Sequence, residues 1–350
     1  MVTRISSNFV DTPGLRIHHL QAGVGEPVVF LHGFPQTSHQ WRHQLAALAE
    51  RGYACFAPDN RGFGRTDKPR VRISRGLLAR DVVRFLDAVG LESAHLVTHD
   101  WGGIIGFKVL ADHPQRVRSL SLLDTLCTVW HPRSHHGYWF KAEGLAEEFF
   151  ARHHRAFIDV ILGGRDGAAL PGPPASPWNI GGGERGPLGG IDDEALDHYR
   201  TAFADPDSHA AAISYYRYAL PFHRIDTATG PDGTEVEAPV ALSEREVAEL
   251  WLHPAGLTAH PGHAHYYDFG PEDRATRSAI PVQWLYSRPP RRGTVGTNER
   301  VAAPSGNPFV EQFPRLFSNL EVHAVAAGHF LPEEAAGYVT AELTRFLPLR

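Results

Sequence analysis

Cysteine is scarce in this chain, with only Cys55 and Cys127 among 350 residues. Both sit in or beside apolar strand-like runs, so they read as buried free thiols rather than a disulfide, and a reducing cytoplasm is the expected setting. A basic excess is also missing. Lys and Arg number 34 against 39 Asp and Glu, and a formal charge of −5 removes the electrostatic case for nucleic acid. No apolar run approaches membrane-spanning length, and the opening Met1 to Asn8 carries no apolar signal core. Internal repeats are absent too. The cluster His260-Pro261-Gly262-His263-Ala264-His265 has the content of a metal site, but Gly and Pro deny it a rigid face and no Cys or carboxylate cluster adjoins. Gly181-Gly182-Gly183 follows no strand, so it is no nucleotide loop. Neither a metal nor a cofactor is expected. Apolar content is not lacking: 42% apolar with 21% charged is a globular composition, and this length holds one large domain or two smaller ones.

The most informative stretch is Leu96-Val97-Thr98-His99-Asp100-Trp101-Gly102-Gly103-Ile104-Ile105-Gly106. Ala94 to Val97 reads as a short buried strand, and Ile104 to Leu110 as a helix. Only Thr98 to Gly103 lies between them. So tight a turn needs small residues where strand and helix nearly touch, which Thr98, Gly102 and Gly103 supply. Asp100 at the apex is expected above the sheet on a strained backbone. This is the nucleophile-elbow pattern with Asp where esterases carry Ser. Taken alone, the stretch fits a simple helix N-cap equally well, a role Asp performs readily.

The rest of the chain decides. Phe9-Val10 and Leu15 to Leu20, around Pro13-Gly14, read as a starting hairpin. Pro27 to Leu31 is a buried strand running into His32-Gly33-Phe34-Pro35. Helical spacing follows over Ser38 to Leu48, a strand over Tyr53 to Pro58, a helix over Leu77 to Val89, and a strand from Val117 to Leu123 that ends at Asp124. This alternation, with near-continuous apolar strands, predicts right-handed βαβ units and a parallel sheet covered on both faces. It stops between about Thr125 and Arg277. That segment holds helical stretches at Glu143 to Ile161 and Asp192 to Ala219, with Gly- and Pro-crowded loop over Gly163 to Gly190 and irregular chain over Leu220 to Phe269. Alternation resumes with a strand over Ile280 to Tyr286, a helix over Phe309 to Phe317, a strand over Leu320 to Val325 and a final helix over Glu333 to Phe346. The expected organisation is a core of 1–124 and 278–350, interrupted by a helical cap over 125–277. The cap would close over the carboxyl ends of the strands, where open α/β sheets bind ligands.

Three strand-end loops then share one face: Asp100, Asp124 and Gly328-His329-Phe330, in the order nucleophile, acid, base. A carboxylate is already ionised at neutral pH and needs no base in order to attack. Its natural target is an electrophilic sp³ carbon, giving an alkyl ester of Asp100. Hydrolysis of that ester does need a base. His329 can take the proton from water while Asp124 holds its tautomer. Backbone N–H groups of Phe34 and Trp101 can form the oxyanion hole.

These motifs resemble the α/β-hydrolase superfamily over the whole chain, and within it the Asp-nucleophile branch of epoxide hydrolases and dehalogenases. His32-Gly33-Phe34-Pro35 with His99-Asp100-Trp101-Gly102-Gly103 resembles the epoxide hydrolase motif pair. Asp59-Asn60-Arg61-Gly62-Phe63-Gly64-Arg65-Thr66-Asp67 and Gly328-His329-Phe330-Leu331-Pro332-Glu333-Glu334 are similar to that family's strand-end loop and histidine turn. The resemblance implies an α/β-hydrolase fold: a mostly parallel eight-stranded sheet with helices on both faces and an inserted helical cap. Most members carry the acid after the strand matching Ile280 to Tyr286, but Ser287-Arg288-Pro289-Pro290 offers no carboxylate there. Asp124 therefore has to serve, an arrangement shared by Cif-type epoxide hydrolases and fluoroacetate dehalogenases.

The same resemblance extends to the cap. Asp197 to Pro206 and Ser214 to Ala219 are similar to the second cap segment of both groups, which makes Tyr216 the cap tyrosine directed at the nucleophile. Phe150 to Phe157 resembles their first cap segment, which makes His153 its partner, with His154 as the fallback. His154, Tyr215, Trp139 and Phe150 are the expected substrate-lining positions, and His135-His136 is read as solvated cap surface. Fluoroacetate dehalogenases place arginines just after the nucleophile, where this chain has Trp101 and Ile104. Haloalkane dehalogenases pair their Trp with an Asn in the His-Gly loop or a second Trp in the cap, where this loop has Phe34. The expected activity is therefore epoxide hydrolysis of a small apolar epoxide, in a monomer or a homodimer. A haloalkane or haloacid dehalogenase is the runner-up, and a non-hydrolytic binding or cofactor-free role on the same fold is the third reading.

Overall fold

A computed structural model describes residues 4–130, 136–164, 191–229, 234–243, 245–246, 267–289 and 297–348. Gly181-Gly182-Gly183, most of the Gly163–Gly190 loop, His135 and the histidines at 260, 263 and 265 lie outside the described residues.

The chain begins with the expected hairpin, β1 (Ser6–Thr12) against β2 (Leu15–Ala22). Then come β3 (Glu26–Leu31), helix α1 (Arg42–Ala49), β4 (Tyr53–Pro58), α2 (Arg75–Ala88), β5 (Ala94–His99), α3 (Trp101–Asp112) and β6 (Val117–Leu123). After the insertion the alternation returns with β11 (Val282–Ser287), β12 (Glu299–Val301), the helix Pro308–Leu316, β13 (Leu320–Val325) and the closing helix Ala336–Phe346. One nine-stranded sheet results, in the order β1-β2-β4-β3-β5-β6-β11-β13-β12. The pairings among β4, β3, β5, β6, β11 and β13 are parallel. The ninth strand, one more than expected, is the three-residue antiparallel edge β12. Residues of β3 and β5 are almost all buried, as strands covered on both faces must be. One hydrophobic cluster packs α1 and the closing helix through Trp41, Leu45, Leu48, Val339 and Leu343. The other packs α2 and α3 and runs on into the inserted segment through Phe140, Phe150, Phe157, Phe203 and Tyr216.

The insertion joins β6 to β11, which are neighbours in the sheet. It is not wholly helical. Strands β7 (Val129–Trp130), β8 (His223–Thr229), β9 (Glu235–Ala241) and β10 (Tyr267–Asp268) form a second, antiparallel sheet in the order β7-β10-β8-β9. The stretch after Leu220, expected to be irregular, thus contains an antiparallel strand pair, β8 with β9. The helices are α4 (His136–Trp139), α5 (Leu145–Ile161), α6 (Asp193–Ala202) and α7 (Pro206–Tyr218). One helix was expected where α6 and α7 stand. It breaks because Pro206 forces Asp205 into an extended conformation, φ −74° and ψ 121°, and starts the next helix at its first position.

Candidate active site

Asp100 ends β5 and precedes α3 with φ 50° and ψ −120°. Its side chain makes no capping hydrogen bond, which removes the N-cap reading and leaves the carboxylate projecting from the turn. Asp124, which ends β6, is the other non-glycine residue with positive φ among the described residues, at 40°. Such conformations cost on the order of 1–3 kcal/mol each and persist only when their surroundings over-determine them. The surroundings here are tight. A Cβ on Gly33 would meet the Asp100 Cβ at 2.5 Å, and one on Gly102 would meet the Leu31 carbonyl oxygen at 2.0 Å. The elbow therefore closes only on glycine at both positions.

The carboxylate of Asp100 is held on one side and open on the other. The Phe34 N–H donates to its Oδ1 at 2.8 Å. Its Oδ2 lies 3.6 Å from His329 Nε2, beyond a hydrogen bond. His329 Nδ1–H donates to Asp124 Oδ2 at 2.6 Å, and the buried Nε2 has no hydrogen-bond partner. An unpartnered ring nitrogen facing the carboxylate leaves room for one further donor or acceptor, such as water or substrate. Asp124 is held in turn by Ser287 at the end of β11. The Ser287 N–H donates to Oδ1 at 2.9 Å, and its hydroxyl lies 3.0 Å from each carboxylate oxygen. The end of β11, where the sequence offers no carboxylate, thus supplies donors to Asp124 instead. Burial pulls the His329 imidazolium down, but Asp100 and Asp124 outweigh it and push its pKa up to about 10. Burial pushes both aspartates up, but the close approach of His329, which also hydrogen-bonds Asp124, outweighs it and holds them below the usual carboxylate range.

The histidine turn is clamped from three sides. The Glu334 carboxylate accepts from the N–H groups of Gly328 at 2.8 Å and Phe330 at 2.9 Å, on either side of His329. His99 Nε2–H donates to the His329 carbonyl at 2.9 Å. Burial and the neighbouring His329 lower the His99 pKa to about 4, so it sits there neutral and adds no charge. The loop carrying Phe34 is held by His32, whose Nε2 accepts from the Asn60 N–H at 2.9 Å.

Tyr216 lies over the nucleophile. It is 2% exposed and stacks on Phe140 at 4.2 Å and 6°. Trp101 and Phe34 approach it edge-on at 5.1 and 5.7 Å. Helix α7 is fixed just before it: Tyr215 donates its hydroxyl to the Arg61 carbonyl at 2.9 Å, and Ser214 Oγ accepts from the Ile73 N–H at 2.9 Å. Lys141, just after α4, donates to the Tyr216 carbonyl at 2.9 Å. Burial raises the Tyr216 hydroxyl well above its usual range, the Asp100 charge adds to this, and a hydrogen bond from the Trp101 indole opposes it.

The structure therefore brings together Asp100, Asp124, His329, Phe34, Trp101 and Tyr216. It does not bring the expected histidine to Tyr216. His153 is half-buried on α5, with its ring on Phe149. His154 bonds the Phe150 carbonyl within its own helix at 3.0 Å and packs on His209. The histidine beside Tyr216 is His136, expected at the surface but 7% exposed, its ring edge-on to Tyr216 at 5.5 Å and to Trp130 at 5.3 Å. The resemblance across α5 pointed to His153, whereas the ring that the structure sets against Tyr216 is that of His136, upstream of the matched segment. The local signal for His136 was its place four residues before Phe140, whose N–H bonds back to the His136 carbonyl at 3.0 Å. Of the other expected lining positions, Tyr215 spends its hydroxyl on Arg61. Trp139 packs on Phe149 and Phe150, and Phe150 packs on Phe140, so both stand one layer behind Phe140. Among the described residues no group of three or more His, Cys, Asp or Glu is placed to hold a metal ion, and no helix is long and apolar enough to cross a membrane.

Comparison with known proteins supports the fold and the family. The α/β-hydrolase fold family matches residues 26–161. Epoxide hydrolase 3 of Siraitia grosvenorii is 32% identical over 252 residues, 66% of this chain and 77% of that enzyme. Epoxide hydrolase A of Mycobacterium tuberculosis is 41% identical over a shorter stretch, 34% of this chain and 38% of that protein. Among solved structures, the epoxide hydrolase CorEH superposes with a TM-score of 0.64 at 19% identity, covering 98% of each chain. Cfl2 from Burkholderia cenocepacia superposes with a TM-score of 0.64 at 20% identity, covering 100% of this chain and 97% of that one. The chain belongs to the α/β-hydrolase superfamily and has epoxide hydrolases among its relatives.

Proposed function

We propose that this protein is an epoxide hydrolase that works through a covalent ester on Asp100. The observation that carries the reading is the pairing of a base-independent carboxylate, Asp100, with a buried tyrosine, Tyr216, that packs on Phe34 and Trp101 and feels the Asp100 charge. Oδ2 of Asp100 attacks an epoxide carbon, the ring C–O bond breaks, and the oxygen leaves as an alkoxide on the same molecule. That alkoxide must gain a proton. Tyr216 is held protonated at neutral pH and supplies it, while the Trp101 indole N–H steadies the tyrosine oxygen as its proton departs. His136 stands edge-on to the Tyr216 ring as a second polar side chain in an otherwise aromatic wall.

The second half of the cycle uses the other side of the site. Forming the ester erases the Asp100 charge that helps keep His329 protonated, so the His329 pKa falls and a neutral Nε2 becomes available as a base. Water bound at Nε2 attacks the Asp100 carbonyl carbon and gives its proton to His329. Asp124 holds the imidazolium, and the Phe34 N–H already on Oδ1 stabilises the oxyanion. Collapse breaks the ester C–O bond, and the departing alkoxide takes the proton of the water-derived hydroxyl on the carbonyl carbon, so the vicinal diol leaves, Asp100 returns as carboxylate and His329 as imidazolium, while the proton that His329 shed on ester formation restores the Tyr216 hydroxyl. We assign residues 1–124 and 278–350 to the catalytic core and 125–277 to a cap that supplies Tyr216 and His136. The substrate is a small epoxide with an apolar body, matching the aromatic lining of Phe34, Trp101 and Phe140.

The test is intact-mass analysis of His329→Gln with an aryl epoxide. An adduct of substrate mass mapping to Asp100 is expected, because attack survives while ester hydrolysis fails. In ¹⁸O-water under single turnover the wild type should place label in Asp100. Halide release from 1-bromoalkanes or fluoroacetate at rates rivalling epoxide opening would replace this reading with the dehalogenase one.

A further inference from the structure

Four residues after His329, Glu333 is buried among groups that the mechanism above leaves unused. Its side chain is 0% exposed. Oε1 takes Arg42, at the start of α1. Oε2 takes two donors, the amide of Gln36 and, at 3.0 Å, the hydroxyl of Tyr199 from α6. The Gln36 amide also reaches the Tyr199 hydroxyl at 3.3 Å. Gln36 closes the turn that carries the oxyanion donor, with its N–H donating to the Gly33 carbonyl at 3.0 Å and Phe34 lying between the two. One carboxyl group therefore joins three parts of the protein: the Phe34 loop, the turn following His329, and the inserted segment at Tyr199. Neither Glu333 nor Tyr199 touches Asp100.

We propose that Glu333 is a positioning residue that locks α6 onto the loop bearing the Phe34 amide, so that the cap and the oxyanion donor are set together. This rests on the ester mechanism proposed above. The lock carries a protonation signature. Burial pushes the Glu333 carboxyl up, and although Arg42 and Tyr199 oppose this, it settles at about 7. A carboxyl with a higher pKa in the locked state than in water binds its proton more tightly when locked, so rising pH through about 7 weakens the lock. A protonated carboxyl can also serve the Gln36 Oε1, a buried acceptor with no other partner, once the amide is turned. The other ionisable groups facing this cluster are Arg42, Tyr199, Asp192, His39, His43 and His198. Burial lowers all three histidines, His39 to about 4, and raises Tyr199 well above its usual range. None of them titrates upward through 7.

Single-turnover alkylation is measured in the His329→Gln background, which removes the catalytic histidine from the pH profile, between about pH 5.5 and about pH 9. Alkylation should slow above a midpoint near the Glu333 value of about 7. Glu333→Gln, a neutral isostere of the protonated group, should abolish that limb and hold the low-pH rate throughout. Glu333→Ala should be slow at every pH, on the order of 10–100-fold below the parent, because the donor loop is released. Hydrogen exchange over residues 33–37 and 194–202 gives a readout independent of activity. Exchange should speed up with pH beyond its intrinsic rate in the parent, stay slow in Glu333→Gln and stay fast in Glu333→Ala. A parent-like pH limb in Glu333→Gln, or parent-like exchange in Glu333→Ala, overturns the proposal. Absence of any Asp100 adduct in the His329→Gln parent overturns the ester mechanism instead.

Discussion

The two halves of the site are built differently. The core half consists of strand-end turns. Asp100, Asp124 and Phe34 each follow a strand of one parallel sheet, and backbone register sets their spacing. The cap half consists of side chains projecting from separate helices, Tyr216 from α7 and His136 from α4, held by Phe140 stacking and by Lys141 and Tyr215 bonds to backbone carbonyls. A turn between two fixed elements tolerates few residue types, so its chemistry is written locally. A helix face tolerates many, and which residue faces the nucleophile depends on how that helix docks.

The largest effect expected lies in the core. Asp100→Asn should abolish turnover, since a neutral amide is a poor nucleophile, and His329→Gln should stop after ester formation. A normal steady-state rate in Asp100→Asn would break the comparison at its root. Asp124→Asn should keep the fold and slow ester hydrolysis on the order of 10³–10⁴-fold, the scale expected when an imidazole is held in the wrong tautomer. Rapid-quench measurement of ester decay checks this, and a silent Asp124→Asn would mean that Ser287 marks a merely structural contact.

The cap donors should cost less. Tyr216→Phe is expected to raise the alkylation barrier by about 2–4 kcal/mol, the scale of losing one oxyanion donor, and stopped-flow quenching of Trp101 fluorescence would follow it. His136→Ala should cost on the order of 1 kcal/mol in the same step, as one polar partner lost beside a retained donor. The expectation that His153 held this role gives a direct contrast: as a half-buried side chain away from the site, His153→Ala should stay within about 0.5 kcal/mol. Equal effects at His136 and His153 would undo the placement of α4.

The last prediction concerns charge rather than rate. With its pKa raised to about 10, His329 contributes stability that is present below its unfolded value and lost as pH rises through about 10. In Asp100→Asn one of the two raising carboxylates is gone, so NMR titration should find His329 lower than in the wild type. The loss of thermal stability on the alkaline side should then be smaller and end at a lower pH. An unmoved His329 would show that Asp124 alone sets its charge, and that ester formation does not release the base.

Local chemistry alone determined the alternating core, the elbow, the order Asp100, Asp124, His329 and the loop of Phe34. Each rests on short-range constraints: periodic apolar strands, glycine where backbones collide, and a carboxylate or imidazole at a strand end. The absence of an acid after Tyr286 was equally legible and pointed to Asp124. Tertiary structure alone decided the rest. It turned Ser287 into the support for that acid and stacked a short helix so that His136, rather than His153, meets Tyr216. It split one helix at Pro206, built a four-stranded sheet within the insertion, and gathered Gln36, Arg42, Tyr199 and Glu333 around one buried carboxyl. Those outcomes depend on contacts between residues up to 297 positions apart, as from Gln36 to Glu333, and no local pattern of residues encodes which distant surfaces will meet.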